Sequence, residues 1–116
     1  MTEKAGPLVA PLGSCVSCFQ AATPTVVVFR GEADWIIGGL GNVAGLSTDR
    51  ALRTFTVLAA EELDSPPGTV PSGPLTIPVR LCRGCAARNG VPAAALSAEK
   101  DFRAGAAVPT YGQPAG

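Results

Sequence analysis

A chain of 116 residues has material for one domain, and its nine basic and nine acidic side chains cancel, so no global field draws it to nucleic acid or to an anionic membrane. It has no histidine, which excludes Cys-His zinc fingers, histidine-based triads and most catalytic metal sites before any motif is sought. Fourteen glycines, eleven prolines and few aromatic residues leave a thin core that a cross-link or a metal ion would strengthen.

Residues 1–13 are rich in glycine and proline and have no period, which predicts a flexible lead-in. No apolar run follows Lys4 that could serve as a secretory segment, so a cytoplasmic location is expected. Cys15-Val16-Ser17-Cys18 comes next. The β-branched run 25–30, bounded by Pro24 and Gly31, predicts a strand, with a short second strand at 34–37 pairing across the turn. Residues 38–45 then read as a mobile glycine-rich loop. The uncharged stretch 35–48 contains four glycines and falls short of the roughly 20 apolar residues of a membrane span.

Ser47, Thr48 and Asp49 offer caps to a helix over 49–63, with Ala51, Leu52, Phe55, Leu58, Ala59 and Leu63 at helical spacing facing inward and Glu61 and Glu62 outward. Thr54-Phe55-Thr56-Val57 alternates and favours a strand within the same segment. The proline-rich stretch 64–74 is a loop. Leu75, Ile77, Val79 and Leu81 alternate with polar or proline positions, the period of a half-buried strand, and Pro78 places that strand at a sheet edge because it lacks an amide donor. It leads into Cys82-Arg83-Gly84-Cys85 and a short helix ended by Asn89-Gly90. Pro92 is positioned to open a further helix carrying Leu96 and Phe102 to Arg103, and 105–116 reads as a flexible tail.

Each C-x-x-C pair puts two sulfurs on one tight turn, and two such pairs complete a tetrahedral site with metal–sulfur distances of about 2.3 Å. Cys15, Cys18, Cys82 and Cys85 are therefore the expected ligands of one structural Zn2+ ion, closed to water and stapling a single domain over 14–104 with an insertion at 31–74. The 63 residues between Cys18 and Cys82 exceed the roughly 15–20 of a compact four-cysteine motif. Closing the longer loop costs on the order of 1 kcal/mol more, against roughly 10–16 kcal/mol of apparent binding energy for structural zinc. Iron, as a cluster or as a single ion, uses the same thiolates; two disulfides and a thioredoxin-like redox pair are further alternatives, the disulfides disfavoured in a cytosolic chain.

The order of knuckle Cys15-Val16-Ser17-Cys18, strand, insertion, strand, and Cys82-Arg83-Gly84-Cys85-Ala86-Ala87-Arg88 opening a helix resembles treble-clef and zinc-ribbon-like proteins, such as the zinc-binding domain of ClpX and HNH-type proteins. The resemblance covers about a third of the chain. It implies a small α+β domain with a short antiparallel hairpin or sheet and two or three short helices. The histidine catalysts of the HNH type are missing, so nuclease activity does not carry over.

Gly39-Leu40-Gly41-Asn42-Val43-Ala44 formally fits a dinucleotide fingerprint, but the chain has no room for the βαβ unit that gives it meaning, and a flexible connector is the expected role. Trp35, Ile36 and Leu40 are candidate partner contacts, with burial of Trp35 in the core the competing reading. Arg80, Arg83 and Arg88 gather at the second knuckle, where they would touch nucleic acid or balance the formal charge of a four-thiolate zinc site. No paired carboxylates suggest catalysis, and no enzymatic activity is expected. The reading these features support is a protein-interaction or assembly module, with a nucleic-acid-binding module and an iron-based redox protein as alternatives. The excess of arginine over lysine, with abundant alanine, glycine and proline, suggests a GC-rich bacterium or its phage as source.

Overall fold

Three valines and a phenylalanine in succession form the centre of the sheet. In the computed structural model, which describes residues 9–114, β1 (Thr25–Gly31) carries Val26, Val27, Val28 and Phe29 almost wholly buried, so both of its faces are covered. β2 (Leu75–Arg80) pairs with it antiparallel, Val27 opposite Val79 and Phe29 opposite Ile77, which puts these four side chains on one face. β2 occupies a sheet edge, where Pro78 loses no ladder bond. The other edge of β1 is shared end to end by two short strands, the antiparallel β3 (Ser97–Ala98) against Thr25 and Val26 and the parallel β4 (Thr110–Gly112) against Val28 to Arg30. The result is an α+β domain with a four-stranded mixed sheet.

Between β1 and β2 the chain makes two helices that lie on the Val27–Phe29 face. In α1 (Ala33–Ala44), Ala33, Ile36, Leu40, Val43 and Ala44 are buried at the spacing of one helical face. The expected strand at 34–37 and mobile loop at 38–45 are therefore corrected to one continuous helix. Glycine disfavours a helix by roughly 1 kcal/mol relative to alanine, so local propensity is outweighed by packing here. The reason is contact: a Cβ on Gly39 would lie 2.5 Å from Phe29 Cε1, so the glycine lets α1 settle directly on the sheet. Gly45, at φ +67°, ends the helix in the left-handed conformation and donates its amide to Gly41.

The second helix, α2 (Thr48–Leu63), is capped by Ser47, whose side chain accepts from the Arg50 amide at 3.3 Å. Its buried face is Ala51, Thr54, Phe55, Leu58 and Ala59. The strand alternative at 54–57 is not realised. Leu52 and Leu63, expected inside, are exposed, and Glu62, expected outside, has a side chain only 9% accessible because it receives Arg103 at 2.6 Å. Arg103 also reaches Glu99, and Glu99 pairs with Arg80, so one ionic chain joins α2, β2 and α4 (Glu99–Arg103). The Glu62 and Glu99 contacts hold the Arg103 guanidinium above its ordinary range, against the opposing effect of burial.

α3 (Arg83–Arg88) follows the second cysteine turn, and Gly90, at φ +74°, reverses the chain after it. The single helix expected from Pro92 to Arg103 is instead broken into a 3-10 turn at Ala93–Ala95, the β3 bridge and α4. The edge of β1 decides this, because pairing with Thr25 and Val26 and the Glu99 amide bond to the Pro24 carbonyl, 2.7 Å, require extended backbone at 97–98. The expected structureless tail likewise contributes β4, whose Tyr111 packs against Phe29 at a 5.5 Å ring separation. Among the described residues there are four helices where two or three were expected. Residues 1–8 and 115–116 of the two expected flexible ends lie outside the described residues. Among the described residues no helix is long and apolar enough to cross a membrane.

Candidate metal centre

The sheet itself brings the two C-x-x-C turns together. Pairing of Val26 with Arg80 continues into a bond from the Leu81 amide to the Thr25 carbonyl, 3.1 Å, and the Thr25 hydroxyl returns to the Leu81 carbonyl at 2.7 Å. The first knuckle is fixed to the same place by the Val16 amide, which donates to the Arg80 carbonyl at 3.0 Å. The knuckle closes on itself through the Cys15 amide to Gln20 and the Phe19 amide to Cys15, each 2.9 Å, with Phe19 turned left-handed at φ +68°. Ser17 ties it to the end of α1 through the Ala44 carbonyl at 2.9 Å. The long separation between the cysteine pairs is therefore spanned by a strand ladder and a packed helical layer, not by an open loop.

All four sulfurs of Cys15, Cys18, Cys82 and Cys85 lie within 4.8 Å of one another, and all four residues are free thiols. A metal ion bound by four thiolates at about 2.3 Å spaces its sulfurs about 3.8 Å apart. The Cys18 and Cys82 sulfurs, 3.7 Å apart, already have that spacing. Backbone amides point at the cluster: Cys82 donates to the Cys15 sulfur at 3.4 Å, and Cys85 to the Cys82 sulfur at 3.5 Å at the start of α3. The donor set fits one metal ion with no fifth protein ligand needed. A cluster of several irons would set the four sulfurs farther apart than one ion does, so a single ion suits this spacing better.

The cluster is asymmetric. Cys15 and Cys85 are completely buried and belong to the apolar core, whereas Cys18 is exposed and Cys82 half-buried. Burial pushes the Cys15 thiol up, but the amides of Cys18, Cys82 and Ser17 outweigh it and bring it down to about 7. Burial is also the largest influence on Cys85; with the neighbouring thiols it raises that group to about 12, against a lowering contact from Ser17. Cys18 is opposed by the Gln20 amide, yet local desolvation and the thiols of Cys82 and Cys15 carry it upward. A cation bound at the centre of the cluster would favour the thiolate form of its sulfur ligands.

The three arginines of the second knuckle separate in role. Arg88 donates to the Cys85 sulfur at 3.0 Å, and Arg80 is engaged with Glu99. Both are therefore committed within the domain, and Arg83 is the one of the three that extends unpaired into solvent among the described residues. Trp35 is half-buried, edge-on to Phe29 at 5.9 Å. Ile36 and Leu40 have no accessible surface, which removes them as partner contacts. Gly39 to Ala44 lies inside α1, where a dinucleotide fingerprint would need a loop between strand and helix, so neither that motif nor a flexible connector describes it. Thr25, Ser17 and Asn89, which bonds the Cys85 carbonyl at 2.9 Å, support the centre and carry no signal in sequence spacing.

Compared with protein-family models, with curated proteins and with solved structures, the chain matches none of them. The four-cysteine centre is thus defined by its own geometry.

Proposed function

We propose that the protein is a non-catalytic structural-zinc module of treble-clef type whose stapled body holds a protein partner. The observation that carries the metal reading is the convergence of four thiols, from two distant C-x-x-C turns, into one cluster of tetrahedral dimensions. Knuckle, antiparallel strand pair and helix-opening C-x-x-C follow one another as in treble-clef sites, with α1 and α2 inserted between the strands. Zinc suits a closed four-thiolate site that joins two halves of a fold. Elemental analysis of protein purified without added metal, with a thiol count before and after chelation, tests this. One zinc per chain with four masked thiols is the expected result; iron would transfer the centre to redox chemistry, and neither metal nor free thiols would replace it with disulfides.

The partner reading draws support from the exposed apolar side chains Leu12, Leu52, Val57, Leu63 and Val70, set on a body with no net charge. Capture of a specific protein from native lysate by the zinc-loaded chain is the expected outcome, and failure to retain any would remove this half of the proposal. Nucleic-acid binding has weaker support, because two of its three candidate arginines already have partners inside the domain. Salt-dependent binding to DNA or RNA that weakens in Arg83→Ala would restore it.

A further inference from the structure

The sulfur cluster has one side open to solvent. Cys18 and Cys82 line a cleft of about 450 Å³ together with Gln20, Thr25, Arg83 and Arg88, while Cys15 and Cys85 are fully buried and do not line it. Cys18 and Cys82 thus border solvent, and the buried Cys85 sulfur is covered on that side by the Arg88 guanidinium at 3.0 Å. The two sulfurs on the open face are 3.7 Å apart, near enough to be joined once a metal no longer separates them. A bond between them requires an approach to about 2.05 Å.

We propose that Cys18 and Cys82 form a peroxide-sensitive pair that releases the metal by closing into a disulfide. The inference rests on the zinc reading above. The Cys18 thiolate attacks one oxygen of hydrogen peroxide, the O–O bond breaks, and hydroxide leaves, giving Cys18 sulfenic acid. The Cys82 thiolate then attacks the Cys18 sulfur and expels a second hydroxide. Two thiolates lose two electrons, one peroxide gains them, and the products are one disulfide and two hydroxides. Arg83 and Arg88 face the cleft in which each hydroxide departs. The metal keeps two sulfur ligands, Cys15 and Cys85, and is surrendered to any competing chelator. Because the new bond links the first knuckle to the start of α3, the two halves stay tethered in the oxidised state, and a thiol reductant restores the site.

The test uses the full chain loaded with zinc, titrated with hydrogen peroxide in the presence of a chromogenic zinc chelator, then alkylated and digested with trypsin. Cleavage at Arg83 separates Cys82 from Cys85, so the partner of the first knuckle is read directly by mass spectrometry, and fragmentation of peptide 5–30 distinguishes Cys15 from Cys18. The expected result is one zinc released per peroxide consumed, a Cys18–Cys82 disulfide, alkylated Cys15 and Cys85, and recovery of zinc binding after reduction. Zinc-loaded protein that keeps its metal under peroxide, or that yields another pairing, overturns the inference and leaves the structural-zinc reading standing. A chain with free thiols that takes up no zinc overturns both.

Discussion

The helical insertion and the two cysteine turns are held to the same sheet by different means. α1 and α2 bury Ile36, Leu40, Phe55 and Leu58 against Val27, Phe29, Ile77 and Val79, a layer large enough to be stabilised by removal of apolar surface from water. The turns contribute mainly Val16, Ala86, Val91 and the two inner cysteines to the core, and their remaining order comes from backbone bonds and the sulfur cluster. The contrast teaches that an insertion between two cysteine turns can be the better-packed part of the domain, while the turns that could bind an ion bury little side-chain volume of their own.

The largest effect expected is from Cys85→Ser, which removes a fully buried ligand and leaves three thiols that no longer close a tetrahedron. Metal binding should be lost and the thermal midpoint should fall by at least about 10 °C, given roughly 4–8 °C per kcal/mol for small domains. An unchanged midpoint by circular dichroism would show that the helical layer holds the turns without the ion. Phe55→Ala, at a site with no accessible surface, should cost about 3–5 kcal/mol in a denaturant titration while the folded protein keeps its metal stoichiometry. Loss of metal from folded Phe55→Ala would mean that the two regions are not separable in this way.

A smaller and sharper comparison lies within α1. Gly39→Ala places a methyl group 2.5 Å from Phe29, and overpacking of about 1–3 kcal/mol should exceed the helix-propensity gain of roughly 1 kcal/mol. Gly38→Ala meets nothing within 4 Å and should stabilise the protein by up to about 1 kcal/mol. Opposite signs in denaturant midpoint are expected; equal signs would remove close packing as the reason for Gly39.

The same glycines explain what sequence reading reached and where it stopped. The clustering of the four cysteines was legible because C-x-x-C spacing is itself the geometry of a metal turn. β1 and β2 were legible from β-branched composition and alternation, and α2 from its Ser47 cap and inward face. α1 was hidden because glycine signals a loop locally, whereas here it answers to the ring of Phe29 across the layer. The break at 97–98 and the β4 strand at 110–112 were hidden for a related reason: strands of two and three residues have no period, and only the free edge of β1 calls for them. The exposure of Cys18 against the burial of Cys15 was invisible too, since the spacing treats both members of a knuckle alike.

Among the described residues, β1 precedes every strand that pairs with it. During synthesis the segment 26–29 is complete while the whole 32–74 insertion remains to be made, and at about 5–20 residues per second this interval lasts seconds. A short uncharged run of three valines and a phenylalanine in that condition is a template for association with other chains. Cys82 and Cys85 follow later still, so the four-cysteine cluster is complete only after the β1–β2 ladder can form. The strands that flank β1 are accordingly all supplied by the later part of the chain, and the central strand has no strand neighbour until residues 75–112 have been made.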